Sequence, residues 1–185
     1  MIRSAGAKKP FLSTETMVFA ALGAALLCVC SLISIPAAVP FTLQTFGVFV
    51  LLVAMGGARG TLSVALYIAL GAVGLPVFSG GRGGPAALFG PTGGFIIGFL
   101  LSGVIYILLV RDRQSLRREV TALVLGELAV YLFGLVWFMV TYSGDMTVSK
   151  ALSLCVWPFL LPDLVKLSLA LLIGRRVRRA LRTRQ

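Results

Sequence analysis

The stretch TGGFIIGFLLSGVIYILLV, residues Thr92 to Val110, decides what kind of molecule this chain makes. It carries no charged residue from end to end. A hydrocarbon core of about 30 Å needs about 20 apolar residues in a helix, and this run meets that need. It is apolar all round, so as a helix it has no polar face to turn toward water. Five further apolar runs surround it: Glu15 to Ile35, Thr45 to Gly57, Thr61 to Leu75, Val120 to Tyr142 and Lys150 to Ile173. Of the 185 residues 58% are hydrophobic and 12% charged, with mean hydropathy +1.01. A soluble domain shows roughly 45–50% apolar and about 25% charged residues. So little polar surface excludes both a soluble globule and a disordered chain. An outer-membrane barrel would show short alternating strands instead. The reading is an all-α integral membrane protein of one domain spanning 1–185. It comprises a cytoplasmic tail over 1–14, a bundle of six transmembrane helices over 15–173 and a basic cytoplasmic tail over 174–185.

Charge placement orients the bundle. With the N-terminus inside, Arg82 and Lys150 face out and Lys166 sits within a span. The rest of the 17 basic residues lie inside, among them Arg3, Lys8, Lys9, Arg59, Arg111, Arg113, Arg117, Arg118 and the run from Arg175 to Arg184. This asymmetry puts both termini in the cytoplasm. It also accounts for the net charge of +11. The basic tail follows an apolar helix directly and suits anionic lipid, so nucleic acid is not the expected partner. The run from Met17 to Ile33 is too long for the apolar core of a signal peptide, and more spans follow it.

The chain has no histidine, which removes the commonest general base and metal ligand. Cys28, Cys30 and Cys155 lie in apolar runs without metal-ligand spacing and read as buried small hydrophobes. No GxxxxGK[ST] occurs, so no nucleotide-hydrolysing loop is expected. No catalytic residue, metal site or cofactor is assigned.

Polar groups inside the spans are the candidates for function, because a membrane interior makes each one costly. Asp163 and Lys166 are three apart and share a helix face. Alone they could be a self-neutralising ion pair or a polar face offered to a ligand. Pro158 and Pro162 just before them predict a helix that is kinked or starts irregularly. Tyr131 stands four residues after Glu127, on the same side. Glu127 reads as close to the cytoplasmic end, snorkelling or paired with loop arginines. Glu127 and Asp163 are placed near opposite faces. Two outer segments stand out: PAAVPFTLQ (Pro36 to Gln44) and LPVFSGGRGGPAALFGP (Leu75 to Pro91). The second is long for a loop in a compact bundle, a length associated with binding loops. Its Phe78, Leu88 and Phe89 predict that it packs onto the protein. Thr92 is a candidate helix cap, and the Gly93–Gly94 start after it suits an anion. Arg82 adds a cation on that side. Ala20/Ala24 and Ala21/Ala25 are small-xxx-small pairs, suited to packing within the bundle or against a partner subunit. Together these residues predict an outward-facing pocket for a small anionic molecule with a polar head.

Several blocks resemble the BioY family of biotin-specific substrate-binding components of energy-coupling factor transporters. They are PFTLQTF (Pro40 to Phe46), LPVFSGGRGG…LFGPTGGFIIGF (Leu75 to Phe99), YLFGLVW (Tyr131 to Trp137) and WPFLLPDLVK (Trp157 to Lys166). The resemblance implies a six-helix S-component bundle in a bacterial plasma membrane. It implies biotin as the transported ligand and no bound cofactor. It implies a transmembrane coupling subunit and two ATPase subunits as partners, with a homo-oligomer as the alternative for members that act alone. It assigns Asp163 and Lys166 to one polar end of biotin. Thr42, Gln44 and the loop from Ser79 to Gly84, including Gly81 and Gly83, would line or close the pocket, with Thr92 and Gly93 at the helix start; Arg82 in that loop is a candidate by its charge and not by the resemblance. Tyr131 and Trp137 would supply walls. Ala20, Ala21, Ala24 and Ala25 would meet the coupling subunit. The alternatives are an S component for another small vitamin and, from a different class, a membrane assembly partner without transport.

Overall fold

The computed structural model describes residues 13–110, 115–142, 144 and 146–183. The described residues form eight α-helices: α1 (Thr14–Leu32), α2 (Gln44–Met55), α3 (Gly57–Ala72), α4 (Pro85–Phe89), α5 (Gly93–Val110), α6 (Leu116–Thr141), α7 (Val148–Cys155) and α8 (Trp157–Arg182). Among them α1, α5, α6 and the α7–α8 segment are long and apolar enough to cross a membrane. Helices α2 and α3 have 12 and 16 residues, or about 18 and 24 Å at 1.5 Å per residue. The four long segments make this a multi-pass membrane protein. Of the basic residues used above to set orientation, Arg3, Lys8, Lys9, Arg111, Arg113 and Arg184 lie outside the described residues.

Helix α2 sits at the centre. Gln44 and every residue from Gly47 to Ala54 are buried, because α1, α3, α5 and α8 all pack on it. A helix apolar on all sides finds its place either in lipid or in a protein core, and α2 takes the core. The outer helices instead keep large apolar side chains exposed, among them Leu22 on α1, Leu108 on α5, Leu132 on α6 and Leu164 on α8.

The most extensive helix contact is α5 against α6. A side chain at Gly98 would come within 3.0 Å of the Val130 backbone. One at Gly94 would strike Trp137, and one at Gly134 would strike the Phe95 ring. Small residues on both helices let the backbones approach where no hydrophobic drive distinguishes lipid from protein.

The two outer segments are more structured than loops. Strands β1 (Ser34–Ile35) and β2 (Phe41–Thr42) form an antiparallel hairpin that pairs Ser34 with Thr42 and Ile35 with Phe41. The segment from Leu75 to Pro91 holds a 3-10 turn at Ser79–Gly81 and the short α4. It packs as expected through Phe78, which is buried edge-on against Tyr67 at 5.5 Å. Leu88 is half-buried, and Phe89 is exposed.

The last apolar run divides into α7 and α8. Helix α7 ends at Val156, whose backbone (φ −125°, ψ −59°) leaves the helical region, and α8 begins with Pro158 in its first turn. Pro158 has no N–H to offer the preceding turn, so the break falls there. Pro158 thus restarts the helix as predicted, whereas Pro162 lies inside α8, which runs on through it. Residues 174–182 do not form a separate tail but continue α8.

That continuation has a partner. Glu119 of α6 is fully buried and accepts from Arg175 Nε at 2.8 Å and Arg178 Nη1 at 2.7 Å. Arg178 also donates to the Val53 carbonyl at the end of α2. Glu119→Ala leaves these guanidinium groups without their carboxylate. It should cost about 3 kcal/mol, the scale of breaking a buried ion pair. Denaturant unfolding in detergent checks this, and Arg175→Ala should cost less because that side chain is the more exposed of the two.

Candidate functional site

Helices α2, α5, α6 and α8, with both outer segments, enclose a cavity of about 690 Å³ including its mouth. Its walls are mostly apolar, with Phe95, Ile96, Phe99, Val130 and Phe159 among them. A largely apolar pocket with a few convergent polar groups is the usual form of a small-molecule site.

The polar end is built from α8 upward. Restarting after Val156, α8 turns Asp163 and Lys166 inward, where they are 5% and 6% exposed. Lys166 Nζ donates to Asp163 Oδ1 at 2.8 Å and to the Thr42 carbonyl at 2.7 Å. The same ammonium lies 3.8 Å from the centre of the Phe41 ring. Tyr131 of α6 donates from its hydroxyl to Asp163 Oδ2 at 2.6 Å. The hairpin matters here: β2 carries both the carbonyl and the ring that receive Lys166. Each charge is thereby paired and hydrogen-bonded, the condition for burying it.

A second chain of hydrogen bonds runs along the neighbouring wall. Thr42 Oγ1 donates to Gln44 Oε1 at 3.0 Å, and Gln44 Nε2 donates to the Tyr67 hydroxyl at 2.6 Å. Tyr67 passes its proton to the Val77 carbonyl at 3.0 Å. This fixes the Gln44 amide and ties the second outer segment to α3. Arg82 sits at the exposed mouth, its Nε donating to the Ser79 carbonyl at 3.0 Å.

Residues 4–183 match the BioY family. The chain belongs to that family. It is 40% identical over 164 residues to the biotin transporter BioY of Thermotoga maritima, a match covering 88% of this chain and 95% of that one. It is also 40% identical over 139 residues to the probable biotin transporter BioY of Pyrococcus horikoshii, covering 75% and 80%. Its fold matches, with TM-score 0.80 and 28% identity over 94% of this chain and 95% of the other, a 2.1 Å crystal structure. That structure is the S-component for biotin from an ECF-type ABC transporter.

In this BioY-family chain the structure brings Asp163, Lys166, Tyr131, Thr42, Gln44, Arg82 and Thr92 to one cavity. It leaves three expected glycines out of the lining. A side chain on Gly83 would strike the Leu75 carbonyl, and one on Gly93 would strike the Leu88 carbonyl. Gly81 has φ +69° and serves the turn. These positions are glycine because the segment folds tightly on itself. Thr92 borders the cavity and meets α5 through its carbonyl, which accepts from Phe95 N at 3.2 Å. Trp137 is not a cavity wall: its indole donates to the Gly90 carbonyl at 3.0 Å and anchors the segment before α5. Ala20 and Ala24 are buried within the bundle, whereas Ala21 and Ala25 are exposed. That corrects the expectation for the first pair, which packs internally. Cys28, Cys30 and Cys155 are free thiols, and Cys155 borders the cavity.

Glu127 is the main correction. It neither snorkels nor pairs with arginines; Glu119 has that role. Helix α6 starts at Leu116, so Glu127 lies about three turns inside it, buried and lining the same cavity as Asp163. The two carboxyl groups share a site rather than opposite faces. The i, i+4 spacing from Tyr131 was the available signal, and it was outweighed by a helix start read four residues late. Tyr67 was also missed. Its hydroxyl matters only because Gln44 and Val77, distant in sequence, converge on it.

Tyr131→Phe deletes one charge-assisted hydrogen bond to a buried carboxylate while keeping the ring. It should cost about 1.5–3 kcal/mol, read as a lower unfolding midpoint of the purified protein.

Proposed function

We propose that the cavity binds biotin and that this chain is the substrate-binding component of an energy-coupling factor transporter. The observation that carries the reading is a largely apolar cavity with one buried, hydrogen-bonded polar end, in a chain of the BioY family. Biotin has a matching shape: a cyclic urea with two N–H donors and a carbonyl, an apolar sulfur ring, and a flexible carboxylate. The urea meets the Asp163–Lys166 end, the ring lies against Val130 and Phe159, and the carboxylate reaches toward Arg82 at the mouth. The chain is a transport component and not an enzyme. Energy comes from ATPase partners through a transmembrane coupling subunit, since the sequence carries no phosphate-binding loop of its own.

The topology that fits this role has six spans in a bacterial plasma membrane, with α2 and α3 as the short ones and both termini cytoplasmic. The skew of Lys and Arg to one side supports it. The exposed face of α1, with Ala21 and Ala25 beside Met17, Leu22 and Val29, is the surface offered to the coupling subunit. Small residues there allow close helix approach.

Titrating the purified protein with biotin tests the reading. Saturable binding near one equivalent is expected. Lys166→Ala and Asp163→Asn should each weaken it at least tenfold, because each leaves a buried group without its partner. Binding of another vitamin in place of biotin would reassign the substrate. Ala25→Trp should leave biotin affinity within about twofold of wild type and abolish co-purification with the coupling subunit.

A further inference from the structure

The two carboxyl groups lining the cavity are not equivalent. Asp163 has both oxygens engaged, one by Tyr131 and one by Lys166. Glu127 stands beside all three of these residues and is 8% exposed. Its Oε1 and Oε2 are both buried, and neither meets a hydrogen-bond partner at good geometry, although the polar groups of Asp163 and Tyr131 lie close by. Glu119, eight residues earlier on α6, shows the contrast: it too is buried, yet each of its oxygens accepts from an arginine.

An unpaired polar group in a low-dielectric interior costs free energy until a partner arrives. The helix that carries Glu127 is fixed beside the cavity: its neighbour Gly126 packs directly on Ser102 of α5, where an added side chain would come within 3.0 Å. The complementary partner is a molecule that enters the cavity carrying hydrogen-bond donors. Lys166 is matched to the opposite chemistry, since its ammonium has three donors and two are used within the protein. Side by side, Glu127 and Lys166 offer an acceptor and a donor.

We propose that Glu127 receives the N–H donor of the ligand, while Asp163 is a positioning residue that holds Tyr131 and Lys166 in place. The ligand class is a cyclic urea or amide, whose adjacent N–H and C=O groups meet Glu127 and Lys166 together. This rests on the biotin reading, which makes the donor a ureido N–H. Discrimination would follow from the same geometry. A site built to pair an N–H rejects an analogue lacking it far more strongly than a hydrophobic wall rejects a change in shape.

The test is a cycle between protein and ligand. Biotin and its two derivatives methylated at either ureido nitrogen are titrated into wild type, Glu127→Met and Asp163→Asn. Glu127→Met, which keeps the length of the side chain but has no oxygen to accept, should weaken biotin binding at least tenfold. Methylation at one ureido nitrogen should weaken wild-type binding strongly and cost little more in Glu127→Met, the non-additivity that marks a direct contact. Asp163→Asn should lower both affinity and unfolding midpoint yet keep the full methylation penalty. Glu127→Asp keeps the carboxyl but withdraws it by one methylene. It should fold with an unchanged midpoint and bind biotin less tightly, which separates loss of contact from loss of fold. Biotin affinity in Glu127→Met within twofold of wild type overturns the proposal, as does an undiminished methylation penalty in that variant. Failure of the wild type to bind biotin at all overturns the biotin reading itself, and the ureido assignment with it.

Discussion

The bond from Lys166 Nζ to Asp163 Oδ1, and onward to the Thr42 carbonyl, is the constraint on which the site depends. An ammonium inside an apolar bundle must be paired or it is expelled. Satisfying it requires α8 to restart at Val156, so that both residues turn inward. It also requires the hairpin to close over them, so that β2 presents a carbonyl and the Phe41 ring. Tyr131 then brings α6 to the same point. One buried charge pair therefore sets the relation of three parts of the chain that are far apart in sequence.

Close packing supplies the rigidity this pair needs. Small residues at Gly94, Gly98 and Gly134 let α5 and α6 approach until side chains meet backbone. That contact fixes Tyr131 and Glu127 relative to the cavity floor. The central α2, buried on nearly every face, carries Gln44 at one end and the Val53 carbonyl bonded to Arg178 at the other. The two polar clusters, one around Asp163 and one around Glu119, thus sit at opposite ends of one packed helix. A bundle of this kind does not deform continuously, because its interior is close-packed and its polar groups have fixed partners.

The same residue type plays opposite parts along α6. Glu119 is closed by two arginines and holds the bundle together. Glu127 is open toward a cavity and waits for a donor from outside the chain. Burial alone does not distinguish a structural carboxylate from a ligand-binding one; the presence of partners does.

Much of this was legible in the sequence. Long apolar runs located the helices, since a chain in lipid must satisfy its own backbone and a barrel would need short alternating strands instead. The spacing of Asp163 and Lys166 placed them on one face, Pro158 marked the restart of the last helix, and the motif blocks pointed to the family. These are local properties, set by residues within a few turns of each other. Only the tertiary structure decided the rest. That Tyr131 serves Asp163, that Glu127 shares its cavity while Glu119 takes the arginines, and that Ala20 faces inward while Ala21 faces out all depend on helix rotation and depth. Trp137 and Gly93 are likewise committed to packing by contacts with residues distant in sequence. Periodicity says that a helix has faces, but which face meets which neighbour is settled by the packing of all the helices at once.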